Sequence, residues 1–148
     1  INMIYEETYL FLTLFLAYLI YYRNITSIEG FTSNNRLHKI KVKKAMDPEL
    51  GLMYKKDKLK NKSGLLFDYK RYGIFTFWMK NTYIPLEVIC LDHNYKVLGI
   101  IKDMKPESKK KRTLNKPFRY AIEVNKGTCK KHGIKEGDSI KLEFVEDI

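Results

Sequence analysis

Six short apolar runs, each of strand length and bounded by turn-forming residues, constrain this chain more than any other feature. They are Leu65–Tyr69, Ile74–Met79, Leu86–Leu91, Tyr95–Ile101, Phe118–Val124 and Ile140–Val145. Between them stand Asp92-His93-Asn94, the polar stretch from Lys105 to Lys116, and Gly137-Asp138, residues that favour turns through local side-chain bonding or an open φ range. Leu37, Ile40 and Val42, spaced by basic residues, add a strand with one wet face. No long helices alternate with these strands. The expectation is therefore a mostly β domain, a compact β-sandwich or barrel-like fold, rather than a parallel α/β sheet. Two short helices are expected beside the strands. One starts at Asp47 as N-cap with Pro48 in the first turn and runs through Leu50, Leu52 and Met53; the other spans Gly127 to His132.

Hydrophobic residues make up 45% of the 148 positions and aromatic residues 14%, which is enough for a packed core and excludes disorder over most of the length. Charge is unevenly placed. Residues 1–30 carry Arg23 against Glu6, Glu7 and Glu29, a balance of −2, so the remainder carries +13 of the total +11. A domain this basic attracts polyanions, whether nucleic acid, acidic protein or anionic lipid, although the same charge also serves plain solubility. Cys90 and Cys129 are too few for a disulfide framework. Cys90 sits in the apolar run Val88-Ile89-Cys90-Leu91 and reads as a small buried hydrophobe. His38, His93 and His132 are scattered, and no Cys or His pair has zinc-ligand spacing. No metal and no cofactor is expected.

The segment Tyr9 to Tyr22 is apolar on every face, with Thr13 its one clearly polar member, so it is not an amphipathic surface helix. At 1.5 Å per residue it spans about 21 Å, short of a hydrocarbon core of about 30 Å. Adding Met3, Ile4 and Tyr5 restores the length, and tyrosines cluster toward both ends as in an aromatic belt. The expected organisation is an N-terminal hydrophobic helix over residues 1–26 acting as an uncleaved anchor, a polar linker over 27–36, and a β-rich domain over 37–148. A cleavable signal and a partner-bound helix are the alternatives. Arg23, Lys39, Lys41, Lys43 and Lys44 follow the segment, which by the positive-inside tendency puts the globular domain of a single-pass membrane protein on the cytoplasmic or equivalent interior side.

Candidate site residues gather in Phe77-Trp78-Met79-Lys80-Asn81-Thr82 and the following Ile84-Pro85-Leu86-Glu87. Strand alternation puts Phe77, Met79 and Asn81 on one face and Trp78, Lys80 and Thr82 on the other. In one reading Trp78 and Met79 fill the core while Asn81 and Thr82 bond to the turn before Pro85; this is taken as the expectation. In the other, Trp78, Lys80, Asn81 and Thr82 form a pocket for a sugar or an anionic small ligand. Glu87 and Glu123 are the carboxylates set in apolar strands, with Arg119 able to neutralise either. They suit a buried ion pair or, if adjacent, general acid–base chemistry of the glycosidase kind. No nucleophile elbow, phosphate-binding glycine loop or His-Glu-x-x-His occurs, so an enzymatic role is disfavoured. The basic run Lys109-Lys110-Lys111-Arg112 is expected in a solvated loop able to touch anionic lipid or acidic protein. It contains no aromatic residue, which leaves base stacking on nucleic acid unsupported there.

These motifs carry a resemblance. From Val42 to about Phe144 the chain resembles the uncharacterised family known as domain of unknown function 192. The shared pattern is F-W-M-K-N-T-x-I-P-L-D, with Glu87 replacing the usual Asp. Gly51-Leu52-Met53, Gly64-Leu65-Leu66-Phe67, Pro117 to Glu123 and Gly133 to Asp138 match further blocks, although Leu50 stands where a basic residue is usual. The resemblance implies a compact β-sandwich-like fold with one or two short helices, and it implies no reaction. The leading functional reading is an uncharacterised membrane-tethered binding or structural module with a basic surface, able to form part of a larger assembly. A carbohydrate- or small-polar-ligand-binding or hydrolytic domain using the Trp78–Glu87 region is the alternative, and an accessory nucleic-acid binder a weaker one.

Overall fold

The computed structural model describes residues 13–21 and 35–148. Residues 13–21 form helix α1, whose Leu14, Phe15, Leu16, Leu19 and Ile20 are exposed. Residues 1–12 and 22–26 of the expected anchor lie outside the described residues, as does the linker up to Asn34. Among the described residues no helix is long and apolar enough to cross a membrane.

Asn35–Ile148 forms a compact unit of its own. In β1 (Leu37–Lys44) the alternation read from the sequence holds: His38, Ile40 and Val42 are buried while Leu37, Lys39, Lys41 and Lys43 are exposed. The remaining strands are β2 (Ser63–Gly73), β3 (Thr76–Phe77), β4 (Leu86–Leu91), β5 (Val97–Met104), β6 (Arg112–Thr113), β7 (Phe118–Asn125) and β8 (Ser139–Phe144), with helix α2 (Thr128–His132) between the last two. Six of them make one sheet in the order β5-β4-β7-β2-β1-β8, and β3 pairs with β6 in a separate ribbon. β1 runs parallel to both β2 and β8, whereas the β2–β7, β7–β4 and β4–β5 pairs are antiparallel.

The fold is thus mostly β and built on one curled sheet, a half-barrel, rather than two sheets facing each other as a sandwich. Its curl is visible in the hydrogen bonds. Val97 N–H donates to Asp138 O at 2.8 Å and Ile140 N–H to Tyr95 O at 2.9 Å, which ties the start of edge strand β5 to the start of edge strand β8. All six strands contribute to the core enclosed by the curl: Ile40, Val42, Leu66, Ile89, Leu91, Val97, Ile122, Val124 and Ile140, plugged by Cys129 and Ile134 at α2. The opposite face of β2, β4, β5 and β7 carries a second core of Leu65, Phe67, Val88, Cys90, Ile101 and Ala121, covered by Leu52, Leu59, Phe77, Met79 and Ile148 from the connecting segments.

Two local expectations are corrected. Asp47 does act as a cap, its Oδ1 accepting the Glu49 N–H at 2.8 Å, but residues 48–54 form consecutive turns instead of a helix. Gly51 at φ 50° and Tyr54 at φ 65° turn the chain left-handed before helical bonding can repeat. The run Ile74–Met79 holds only the two-residue strand β3, because the chain from Met79 onward folds back: Thr82 N–H donates to Met79 O at 3.1 Å, with Asn81 at φ 55°. The helix expected near Gly127–His132 is present as α2, flanked by Gly127 and Gly133 in the left-handed conformation.

Candidate functional site

A cleft of about 480 Å³ opens between the turns at Pro48–Met53, the β3 segment and the outer face of β2 and β7. Its volume is within the range of small-molecule sites. Aromatic rings supply the walls. Tyr69 stacks on Phe75 with centroids 3.6 Å apart, and Phe67 meets Phe77 edge-on at 6.0 Å. Trp78 closes the row at the mouth. At the floor lies Glu123, and Lys111 and Glu49 complete the lining as its exposed charged residues.

Trp78 is 40% exposed, which corrects the expectation that it fills the core. The two faces expected from strand alternation do separate as far as Lys80: Phe77 and Met79 are buried, while Trp78 and Lys80 are exposed. With the second core already filled by Phe67, Phe77, Met79 and Phe118, the indole is left to form the cleft wall. The Lys80 ammonium lies 5.2 Å from the Trp78 ring centroid, within cation–π reach.

The next two residues leave the alternation, since the chain reverses there. Asn81 Nδ2 donates to Tyr54 Oη at 3.0 Å, and Asn81 O accepts the Tyr54 N–H at 2.7 Å, which locks this turn to the one at 48–54. Thr82 is buried, lines the cleft, and donates its hydroxyl to Lys80 O at 3.3 Å. Met79 N–H to Ser108 O at 2.9 Å and Glu107 N–H to Thr82 O at 3.0 Å brace the same turn from the loop before the basic run. Asn81 and Thr82 therefore hold the wall in place, Thr82 within its own turn and Asn81 by bonding across to the turn at 48–54 rather than to the one before Pro85.

The two carboxylates are not brought together. Glu123 lies opposite Val88 and Glu87 opposite Val124 in the β4–β7 register, so the two side chains leave opposite faces of the sheet. Glu87 is buried on the α2 side, where its Oε1 accepts the Cys129 N–H at 2.6 Å. Arg119 neutralises neither: its Nη1 is 2.9 Å from Asp68 Oδ1, and its guanidinium lies 4.8 Å from the Tyr120 ring. The acid–base pair drawn from Glu87 and Glu123 does not form. Of the seven candidates around this region, Trp78, Thr82 and Glu123 line the cleft, Lys80 flanks it through Trp78, and Asn81 supports it.

Glu123 is the unusual group. It is 6% exposed, and its Oε2 has no hydrogen-bond partner. Burial pushes its carboxyl up to about 8, with the Leu52 backbone N–H opposing in part. At neutral pH the floor of the cleft is therefore a neutral carboxylic acid, able both to donate and to accept a hydrogen bond. The same burial, with the Glu123 charge next in importance, raises the Tyr69 hydroxyl. Burial also pushes the Cys90 thiol up to about 12, which leaves it an inert core group.

Sequence reasoning missed Glu49, Gly51, Phe67, Tyr69, Phe75 and Thr76 as cleft residues and assigned Lys111 to a separate surface. The Gly-Leu-Met block was a signal for Gly51, but a helix in place of turns would have hidden its role. Within the basic run, Lys109, Lys110 and Lys111 are exposed, while Arg112 is half-buried in β6 opposite Phe77. Among the described residues no group of three potential metal ligands is found.

The model of the DUF192 family, described as an uncharacterised ACR family, matches residues 30–142. Two crystal structures are similar. A candidate transcription regulator from Sinorhizobium meliloti 1021 shares 30% identity with a TM-score of 0.58, covering 68% of this chain and 76% of that one. A protein of unknown function from Novosphingobium aromaticivorans DSM 12444 shares 27% identity with a TM-score of 0.59, covering 67% of this chain and 70% of that one. Among curated proteins none matches.

Proposed function

The chain belongs to the DUF192 family, and from that premise we propose that its globular domain is a binding module whose cleft takes a small polar ligand with a ring of sugar or aryl size. One observation carries the reading: a buried carboxyl with a free oxygen lies at the floor of an open cleft walled by aromatic rings. An unpartnered buried polar atom costs roughly 1–3 kcal/mol, and a ligand hydroxyl or amide that bonds to it recovers that loss. The exposed Trp78 indole supplies stacking surface of the kind that sugar and aryl rings use, and Phe75 and Tyr69, stacked on each other, add an apolar wall. Binding is favoured over two-carboxylate hydrolysis because Glu87 points away from Glu123.

Ligand-observed NMR with methyl glucoside, methyl glucuronide, benzamide and benzoate tests this. Saturable binding that is lost in both Trp78→Ala and Glu123→Ala is the expected result. No saturable binding by any probe, or binding indifferent to both substitutions, overturns it.

Tethering to a bilayer through residues 9–22 is a second part of the proposal. Its support is the all-round apolarity of that segment and the exposed apolar side chains of α1. Carbonate extraction of the native protein should leave it in the membrane fraction; release into the supernatant would refute the anchor.

A further inference from the structure

We infer that the ligand of this cleft is a small organic anion, held with its anionic group at the mouth against Lys111 and its opposite polar edge on the Glu123 carboxyl. The inference rests on the binding reading above and adds the ligand's charge and direction of entry.

The charged residues of the lining are Glu49 and Lys111, both exposed, and the buried Glu123. The first two offset each other, so the residues around them decide the sign at the mouth. Lys111 is preceded by Lys109 and Lys110, both exposed, and followed by Arg112. On the wall beside it, the Lys80 ammonium rests 5.2 Å from the Trp78 ring centroid. A ligand stacked on that indole has this ammonium on its other side or edge. Against Lys80, Lys109, Lys110, Lys111 and Arg112 these segments set only Asp47, Glu49 and Glu107, so the balance at the mouth is positive, and the whole chain, at +11, attracts anions.

The floor has the opposite demand. Glu123 is held among Phe67, Tyr69 and Phe77 with its Oε2 unpartnered, and burial keeps its carboxyl protonated at neutral pH. It offers an O–H donor and an acceptor lone pair and no charge. A free anion pressed onto it would be buried without a counter-charge, which is costly, whereas a hydroxyl, amide or ether edge suits it. The cleft is thus polar and neutral at its base, aromatic along its walls and cationic at its lip. A ring carrying a carboxylate or similar group on one side and neutral polar groups on the other matches all three zones. A cationic ligand fits only by ionising Glu123 and passing the lysines.

The test compares matched pairs on the full chain: methyl glucuronide against methyl glucoside, and benzoate against benzamide. For at least one pair the anion should bind about tenfold tighter at low salt, as expected for a charge-assisted contact. The preference should shrink toward unity near 0.5 M salt, roughly, where exposed charges are screened within a few Å. Lys111→Ala should weaken the anionic partner far more than the neutral one and so remove the preference; an unchanged denaturation midpoint confirms that the variant is folded. Neutral probes binding as tightly as their anionic partners, or a preference that survives Lys111→Ala, would overturn the inference while the cleft reading stands. Failure of every probe to bind overturns both.

Discussion

A methyl group built on Gly51 would stand 3.5 Å from Oε2 of Glu123 and 3.5 Å from Cζ of Phe67. Gly51 therefore leaves the partnerless Glu123 Oε2 open to the cleft, and it does so at φ 50°, where other residues are strained. Gly51→Ala should cost about 1 kcal/mol through that backbone strain. It should also weaken any ligand that reaches Glu123, by more than the stability loss explains. Urea unfolding together with a methyl glucuronide titration measures both. Undiminished binding in a folded variant would show that ligands do not approach past Gly51.

The raised pKa of Glu123 makes stability pH-dependent with a defined sign. The unfolded carboxyl titrates near 4.5 and the folded one near 8. Between those values the unfolded chain gives up a proton that the native state keeps, so this group's contribution falls as pH rises. It is fully present below about 4.5 and lost by pH above about 8. Glu123→Gln keeps the shape and neutrality, and should flatten the decline. At pH 9 it should exceed the parent in stability by about 2–4 kcal/mol, an order-of-magnitude figure from a shift worth about 1.4 kcal/mol per unit and discounted for the open cleft. Parallel pH profiles for the two proteins would rule out a protonated Glu123.

Trp78→Ala should cost only about 1–2 kcal/mol, below the 3–5 kcal/mol, roughly, of a deleted core aromatic. Trp78 is the sole tryptophan and 40% exposed, so its emission should be red-shifted and readily quenched by iodide. Blue-shifted, protected emission with a large fall in the denaturation midpoint would return it to the core.

Asp138, fully buried, gathers the strand ends. Its Oδ1 accepts the Arg36 N–H at 2.9 Å, and its Oδ2 accepts the Lys135 N–H at 3.0 Å and meets His38 Nε2 at 2.9 Å. Burial pushes its carboxyl up, but these bonds prevail and hold it below its usual value. Its contribution is thus present above the ordinary carboxylate range and lost as pH falls through the folded value. Asp138→Ala should cost about 3–5 kcal/mol by stranding buried donors. Chemical denaturation at neutral pH checks this, and a loss under about 1 kcal/mol would show that the closure does not depend on it.

Local chemistry explains what could be read in advance. Period-2 alternation in β1, the strand β4 (Leu86–Leu91), apolar but for Glu87, and the glycine-bounded α2 depend on neighbours in the chain, and they emerged as expected. So did the placing of Trp78 on the face opposite Phe77 and Met79, although its exposure did not. The family blocks led to the same conclusion about membership.

What the chain's order could not decide was contact between distant residues. Whether an outward-facing Trp78 meets solvent or another layer depends on what the turns at Pro48–Met53 cover, and those turns pack against β2 and β7 rather than over the indole. Placing Glu87 and Glu123 on opposite faces required the β4–β7 register, since each alone sits in an equally apolar strand. The parallel pairing of β1 with β2 and β8 leaves no mark in hydrophobic period, which reports the buried face of a strand and not its partner. Lys111 reached the cleft only because β6 pairs with β3 and carries the basic run to its mouth. Side-chain period is a one-dimensional record of burial; a site is a three-dimensional coincidence of loops, and only the folded packing brings its members together.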